Sequence, residues 1–239
     1  MSEIKHPIGL KTLFFTEMWE RMSYYGMRGI LVLFMTASIN NGGLDFSNAS
    51  ASAIYGIYAA AVYLMALPGG WLADNIFGQQ KTILFGGIII MFGHLSLAIP
   101  NMTFFYIGLI LVVMGTGLLK PNISAIVGGL YEKNPSMKES GFTIFYMSIN
   151  IGSILGFFIC GYLGENIGWH YGFGAAGIGM LLGIIQFKLN LNLLGDVGLK
   201  PTNLISEVTK NNYKKITSII ILLIMIFIFS GLAGLWTIN

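Results

Sequence analysis

Seven apolar segments divide this sequence, and each is long enough to cross a hydrocarbon core of about 30 Å. They run from Thr12 to Ala37, Ala51 to Ala73, Thr82 to Ile99, Phe104 to Leu130, Phe142 to Leu163, Tyr171 to Phe187 and Ile216 to Trp236. Lipid offers no hydrogen bonds to the backbone, so such segments fold as helices and pack side by side. Hydrophobic residues make up 55% of the chain and charged residues only 10%, far from the quarter-charged usage of soluble domains. The expected fold class is an all-α, multi-pass membrane protein.

The basic residues set the expected orientation. Lys5 and Lys11 precede the first span, Lys81 lies between the second and third, and Lys133 and Lys138 between the fourth and fifth. Lys188, Lys200, Lys210, Lys214 and Lys215 lie between the sixth and seventh, while the loops around Gly42, Pro100 and Glu165 carry no Lys or Arg. By the positive-inside rule the amino terminus is cytoplasmic. The basic balance is thus a topology signal, and nucleic acid is not indicated. A single cysteine, Cys160, excludes an internal disulfide framework, and no paired Cys/His spacing suggests a metal. Glu, Arg and Trp inside the first span distinguish it from a cleavable signal peptide.

Short connections join the first six spans, whereas a polar stretch with Pro201 separates the sixth from the seventh. This predicts a six-helix bundle over 1–188, a cytoplasmic linker over 189–215 and a further transmembrane helix over 216–239 with no charge of its own. Six spans are the size of one half of a transporter built from paired six-helix bundles. Glycines four apart, at 152 and 156, 168 and 172, and 179 and 183, are expected to pack helices closely. Gly117, ahead of Lys120 and Pro121, is expected to let the fourth span bend.

The first span carries Glu17, Glu20, Arg21, Tyr24 and Arg28. On a helix advancing about 100° per residue these fall at about 0, −60, 40, −20 and 20°, a single polar stripe. Charges in a membrane span must face other helices or water, and they mark solute or proton pathways. Lys120 in the fourth span lies about 16 Å from the end near Tyr131, and Arg21 about 14 Å from Thr12, so the two are expected at one depth. Arg21, Arg28 and Lys120 against Glu17 and Glu20 leave one positive charge unmatched. An unpaired buried charge is costly enough to call for an anion, from another polypeptide or from a solute. Tyr24, Tyr25 and Tyr63 add hydroxyls and Asn150 an amide.

The run Glu17-Met-Trp-Glu20-Arg21-Met-Ser-Tyr24-Tyr25-Gly26 resembles the ExxERFxYYG signature of the proton-dependent oligopeptide transporters of the major facilitator superfamily, with Met22 in place of the usual Phe. Gly69-Gly70-Trp-Leu-Ala-Asp74, followed by Gly78 and Lys81-Thr82, is similar to that superfamily's loop between spans two and three. Phe145-Tyr146-Met-Ser-Ile-Asn150-Ile-Gly152 resembles the family's FYxxINxG motif, and Lys120 stands where the family keeps a lysine. The resemblance covers essentially the whole chain and about half of the family's fold, whose C-terminal six-helix bundle is absent from it. Span seven resembles the first of two linker helices that bacterial members insert between bundles.

By that similarity Arg21 and Lys120 would receive a peptide's carboxyl end, with Tyr24, Tyr25, Arg28, Tyr63 and Asn150 lining the site. Glu17 and Glu20, with Arg21 and Lys120, would handle protons, and Asp74 would gate the cytoplasmic face. His94 reads as a satisfied packing residue, and Trp169 and His170 as interfacial. The resemblance implies a symporter of di- and tripeptides in the cell (inner) membrane, coupled to protons and needing no other cofactor and no metal. Its expected partners are short peptides, membrane lipid and a C-terminal bundle. Alternatives are a facilitator of nitrate or an organic acid, or a half-transporter with no transport of its own. No HExxH or serine-nucleophile motif suggests an enzyme.

Overall fold

A computed structural model describes residues 5–203 together with Thr209, Asn212 and Lys215. Span seven lies outside the described residues. The chain divides into two units, Met1–Pro201 and Thr202–Asn239; in the second, Thr209, Asn212 and Lys215 are helical.

The first unit is built from α1 (Gly9–Thr36), α2 (Asn48–Leu72), α3 (Gln79–Leu97), α4 (Met102–Leu130), α5 (Lys138–Gly156), α6 (Tyr162–Asn166) and α7 (Trp169–Leu189). No strand occurs among the described residues. A π turn over Ala73–Phe77 prolongs α2, and another over Phe157–Gly161 joins α5 to α6, so that α5 and α6 make one span. Among the described residues, five spans are long and apolar enough to cross a membrane. The sixth is α1, whose 28 residues reach about 42 Å and which carries the ionic stripe. All six lie within a few residues of the segments read from hydropathy.

The stripe sits where it does because α1 has three faces about 120° apart. One meets α7: Thr16 Oγ1 donates to Gln186 Oε1 at 2.9 Å, Trp19 lies over Gly183, and Ser23 Oγ reaches Met180 Sδ at 3.9 Å. A second meets α5 and the turn after it, where Gly152 and Gly156 approach the backbone carbonyls of Met18 and Met22 and Gly26 faces Cys160. The third carries Glu17, Glu20, Arg21, Tyr24 and Arg28. With two faces occupied by glycine-mediated contacts, the charges are left to the remaining one.

Elsewhere too, small residues set the spacing. Gly86 and Gly115 bring α3 onto α4, and Gly69 and Gly117 bring α2 onto α4 backbone to backbone. In lipid, van der Waals contact has to replace the hydrophobic effect, and missing side chains allow it. Gly117 serves close approach of α2, within an α4 that continues as one helix past Pro121. Gly168 differs from expectation: it caps α7 at φ +152°, a backbone shape suited to glycine, while Gly172 alone of that pair packs, against the Cys160 carbonyl.

Two apolar clusters fill the unit. One gathers Met27, Phe34, Leu97, Phe105, Cys160 and Phe173; the other, nearer the lysine-bearing loops, gathers Leu10, Ile126, Tyr131, Phe187 and Leu194. α2 and α5 contribute little to either. Ile57, Leu64 and Leu67 on α2, and Met147, Ile151 and Ile154 on α5, are all exposed.

Candidate functional site

Arg21 is the centre of the stripe. It is 2% exposed, and its Nε lies 3.0 Å from Glu17 Oε1 and in an ion pair with Glu20 Oε2. Glu17 precedes it by one helical turn and Glu20 by one residue, so both carboxylates reach one guanidinium from the same helix. Tyr24 and Tyr25 present their rings 5.2 and 5.9 Å from the guanidinium carbon. Burial makes this cluster expensive unless every charge is met. Arg21 Nη2, Glu17 Oε2 and Glu20 Oε1 have no hydrogen-bond partner among the described residues.

The other two cations are answered by aromatic rings. Arg28 donates from Nε to the Tyr55 hydroxyl, and its guanidinium carbon lies 5.1 Å from the Tyr55 ring centre. Lys120 Nζ lies 5.3 Å from the ring centre of Tyr63, which is itself 66% exposed. Cations are attracted to such ring faces, and more strongly where water is scarce. Among the described residues, no carboxylate lies within ion-pair distance of Lys120 or Arg28. The two acids are thus concentrated on Arg21, while the cations at Arg28 and Lys120 carry the excess positive charge.

Tyr24 is buried between Tyr25, at 5.4 Å, and Tyr58, stacked at 6.5 Å. The structure therefore brings together Glu17, Glu20, Arg21, Tyr24 and Tyr25, with Arg28 and Lys120 beside them on tyrosine rests. Asn150 is exposed on α5, whose Gly152 meets α1 at Met18 and Arg21. Asp74 lies half-buried in the π turn after α2, away from this cluster along the helix.

Two residues of the site do not stand out in the sequence. Tyr55 and Tyr58 on α2 supply the hydroxyl for Arg28 and the stack for Tyr24. Three tyrosines within nine positions of one span, at 55, 58 and 63, are the signal that could have found them. His94 is fully buried as expected of a packing residue, but neither ring nitrogen has a hydrogen-bond partner among the described residues, so it is not a satisfied one. Trp169 Nε1 donates to the Asn41 carbonyl, and His170 Nδ1 lies 3.1 Å from the Leu97 carbonyl, both at the lysine-free end.

A bundle of membrane-length helices with a buried ionic cluster, and two cations beside it lacking carboxylate partners among the described residues, is the architecture of a membrane transporter. The sequence model of the POT family (PTR2) matches residues 80–231, and the chain belongs to that family. It is 53% identical over 195 residues to the uncharacterized transporter YclF of Bacillus subtilis, a match covering 80% of this chain and 40% of that protein. It is 41% identical over 227 residues to a di-/tripeptide transporter of Lactococcus lactis subsp. lactis, covering 93% of this chain and 46% of that one. A crystal structure of a peptide transporter POT in complex with sulfate superposes with a TM-score of 0.91 at 40% identity, over 100% of this chain and 49% of that chain. The chain spans less than half the length of the curated relatives it matches. The family is one of integral membrane transporters rather than enzymes.

Proposed function

We propose that this chain forms the N-terminal bundle of a proton-coupled symporter for di- and tripeptides. The observation that carries the reading is the division of charge: both carboxylates engage Arg21, while Lys120 and Arg28 rest on tyrosines and have no carboxylate partner among the described residues. A peptide always brings a carboxylate, whatever its side chains, and those cations are placed to receive it. Tyr24, Tyr25, Tyr63 and Asn150 line the approach, and a partner six-helix bundle completes the site against α2 and α5. We assign the lysine-rich end to the cytoplasm, with 189–215 as the linker and 216–239 as a further span. Asp74, at that end, gates it.

Proton coupling follows from the same geometry. Arg21 is the shared counter-charge of Glu17 and Glu20. When an incoming carboxylate draws Lys120 or Arg21 toward itself, a glutamate loses part of its counter-charge in a poorly solvated place and takes up a proton. Binding and protonation are then linked, with the proton as the only coupling agent and no metal or cofactor involved.

The test is uptake into proteoliposomes by the whole protein that contains this chain. Glu20→Gln is expected to abolish accumulation driven by an acid exterior while sparing exchange of peptide down its own gradient. Undiminished acid-driven accumulation defeats the coupling scheme. Competition by assorted dipeptides against nitrate or a simple organic acid separates a peptide site from a general anion facilitator, and nitrate competing as well as the dipeptides defeats the peptide reading.

A further inference from the structure

The backbone after α7 folds back across the bundle. Beyond Leu189 it turns through Leu191–Leu194 and buries Leu194 among Leu10, Ile126 and Tyr131. It crosses α1 at Gly9, where a Cβ would come within 2.8 Å of the Leu193 carbonyl, and α4 at Gly129, where a Cβ would come within 2.7 Å of Val197 Cγ1. It then reaches the start of α3. Here Gln80 Nε2 donates to the Gly195 carbonyl at 3.1 Å and the Val197 carbonyl at 2.8 Å, and the Gln80 backbone N–H donates to the Gly198 carbonyl at 3.0 Å. Gly195 and Gly198 adopt φ of +57° and +69°, which aim successive carbonyls at one spot.

The start of α3 needs such partners. The first turn of a helix leaves N–H groups without intrahelical acceptors and carries a partial positive charge. α2 and α4 meet this need themselves: Ser47 and Asn101 cap them with their own side chains, whereas α3 begins at Gly78 with no side-chain cap. Gly78 leaves room for the Leu199 carbonyl, 2.6 Å from where a Cβ would sit. Gln80 is 6% exposed, so its amide is committed to this contact.

We propose that residues 191–199 are a clasp over the first turn of α3, that Gln80 is the residue that holds it, and that the clasp couples the Asp74 turn to the end of this unit at Pro201. Gly78 directly follows the Asp74 turn and its N–H closes that turn on the Ala73 carbonyl. The chain consequently leaves this unit beside the Asp74 turn and not beside the end of α7. This goes beyond the transport reading and does not depend on which solute is carried.

Amide hydrogen exchange on the purified protein tests the clasp, comparing Gln80→Leu and Gly198→Ala with the parent. A Cβ at Gly198 would come within 2.8 Å of Gln79 Oε1, so that change lifts the clasp without touching Gln80. Both variants are expected to speed exchange on the order of tenfold in two places together, residues 80–83 and residues 193–199. The double variant is expected to add little to either single one, because both break the same contact. Unchanged exchange at 80–83 in Gly198→Ala, or strict additivity, overturns the proposal. If either variant fails to fold, a cysteine pair at Gly129 and Val197 reads the same contact: oxidation is expected to link it in good yield, and failure to link overturns the proposal.

Discussion

Arg21 holds two buried carboxylates at once, so its loss leaves both with their desolvation cost and no counter-charge from this helix. Arg21→Met is expected to destabilise the protein by about 3–5 kcal/mol. Adding Glu17→Gln and Glu20→Gln to that variant should recover much of the loss in a thermal melt; no recovery would mean that the triad is not an electrostatic unit. Tyr55→Phe keeps the ring beneath Arg28 and removes only the hydroxyl, at a cost of about 1 kcal/mol. The expected result is a several-fold higher half-saturation for peptide, with Tyr55→Ala worse, measured by uptake at varied concentration. The stripe was legible because 3.6-residue periodicity fixes which positions of one helix share a face, and charge in an apolar run stands out against its background. Tyr55 and Tyr58 were not, because a lone tyrosine in a span packs as often as it binds, and only the neighbouring helix reveals which.

α1 orients its stripe through contacts that depend on missing side chains. The helices themselves were legible from hydropathy to within a few residues, since a span must satisfy its own backbone and match the thickness of the bilayer. Which glycine does what was less so: Gly117 brings α2 onto α4, a contact its place ahead of Pro121 does not suggest, and Gly168 reads as a contact and proves to be a cap, because such roles leave the same letter in the sequence. A Cβ at Gly69 would collide with the Gly117 carbonyl, whereas one at Gly56 on the same helix meets nothing within 4 Å. Gly69→Ala is expected to cost about 1–3 kcal/mol by pushing α2 off α4. Gly56→Ala is expected to be neutral or to stabilise by up to about 1 kcal/mol, as alanine does in a helix. A melt in which both variants behave alike would contradict this account of how α2 is held.

At the scale of the bundle, the lysines outside the spans from Lys5 to Lys200 fall in the loops of one end, and the loops around Gly42, Pro100 and Glu165 have none. A membrane-impermeant thiol reagent applied to intact cells is expected to label Gly42→Cys, and to label Lys133→Cys only after permeabilisation; the reverse pattern would invert the assigned orientation. α2 and α5 leave apolar surfaces on the bundle, consistent with a partner bundle closing over the stripe. In the symport proposed above, one proton moving beside each zwitterionic peptide would draw ~2.3 kcal/mol from a potential of ~100 mV, enough for accumulation of about fifty-fold because ~1.4 kcal/mol is a factor of ten. All of this rests on the cations at Lys120 and Arg28 receiving a peptide's carboxyl end. The direct measurement is competition for uptake by a dipeptide and by the same dipeptide with its carboxyl end amidated. The account predicts strong inhibition by the free acid and inhibition weaker by an order of magnitude or more by the amide, with the difference largely erased in Lys120→Gln. Equal inhibition by acid and amide in the parent protein would contradict it.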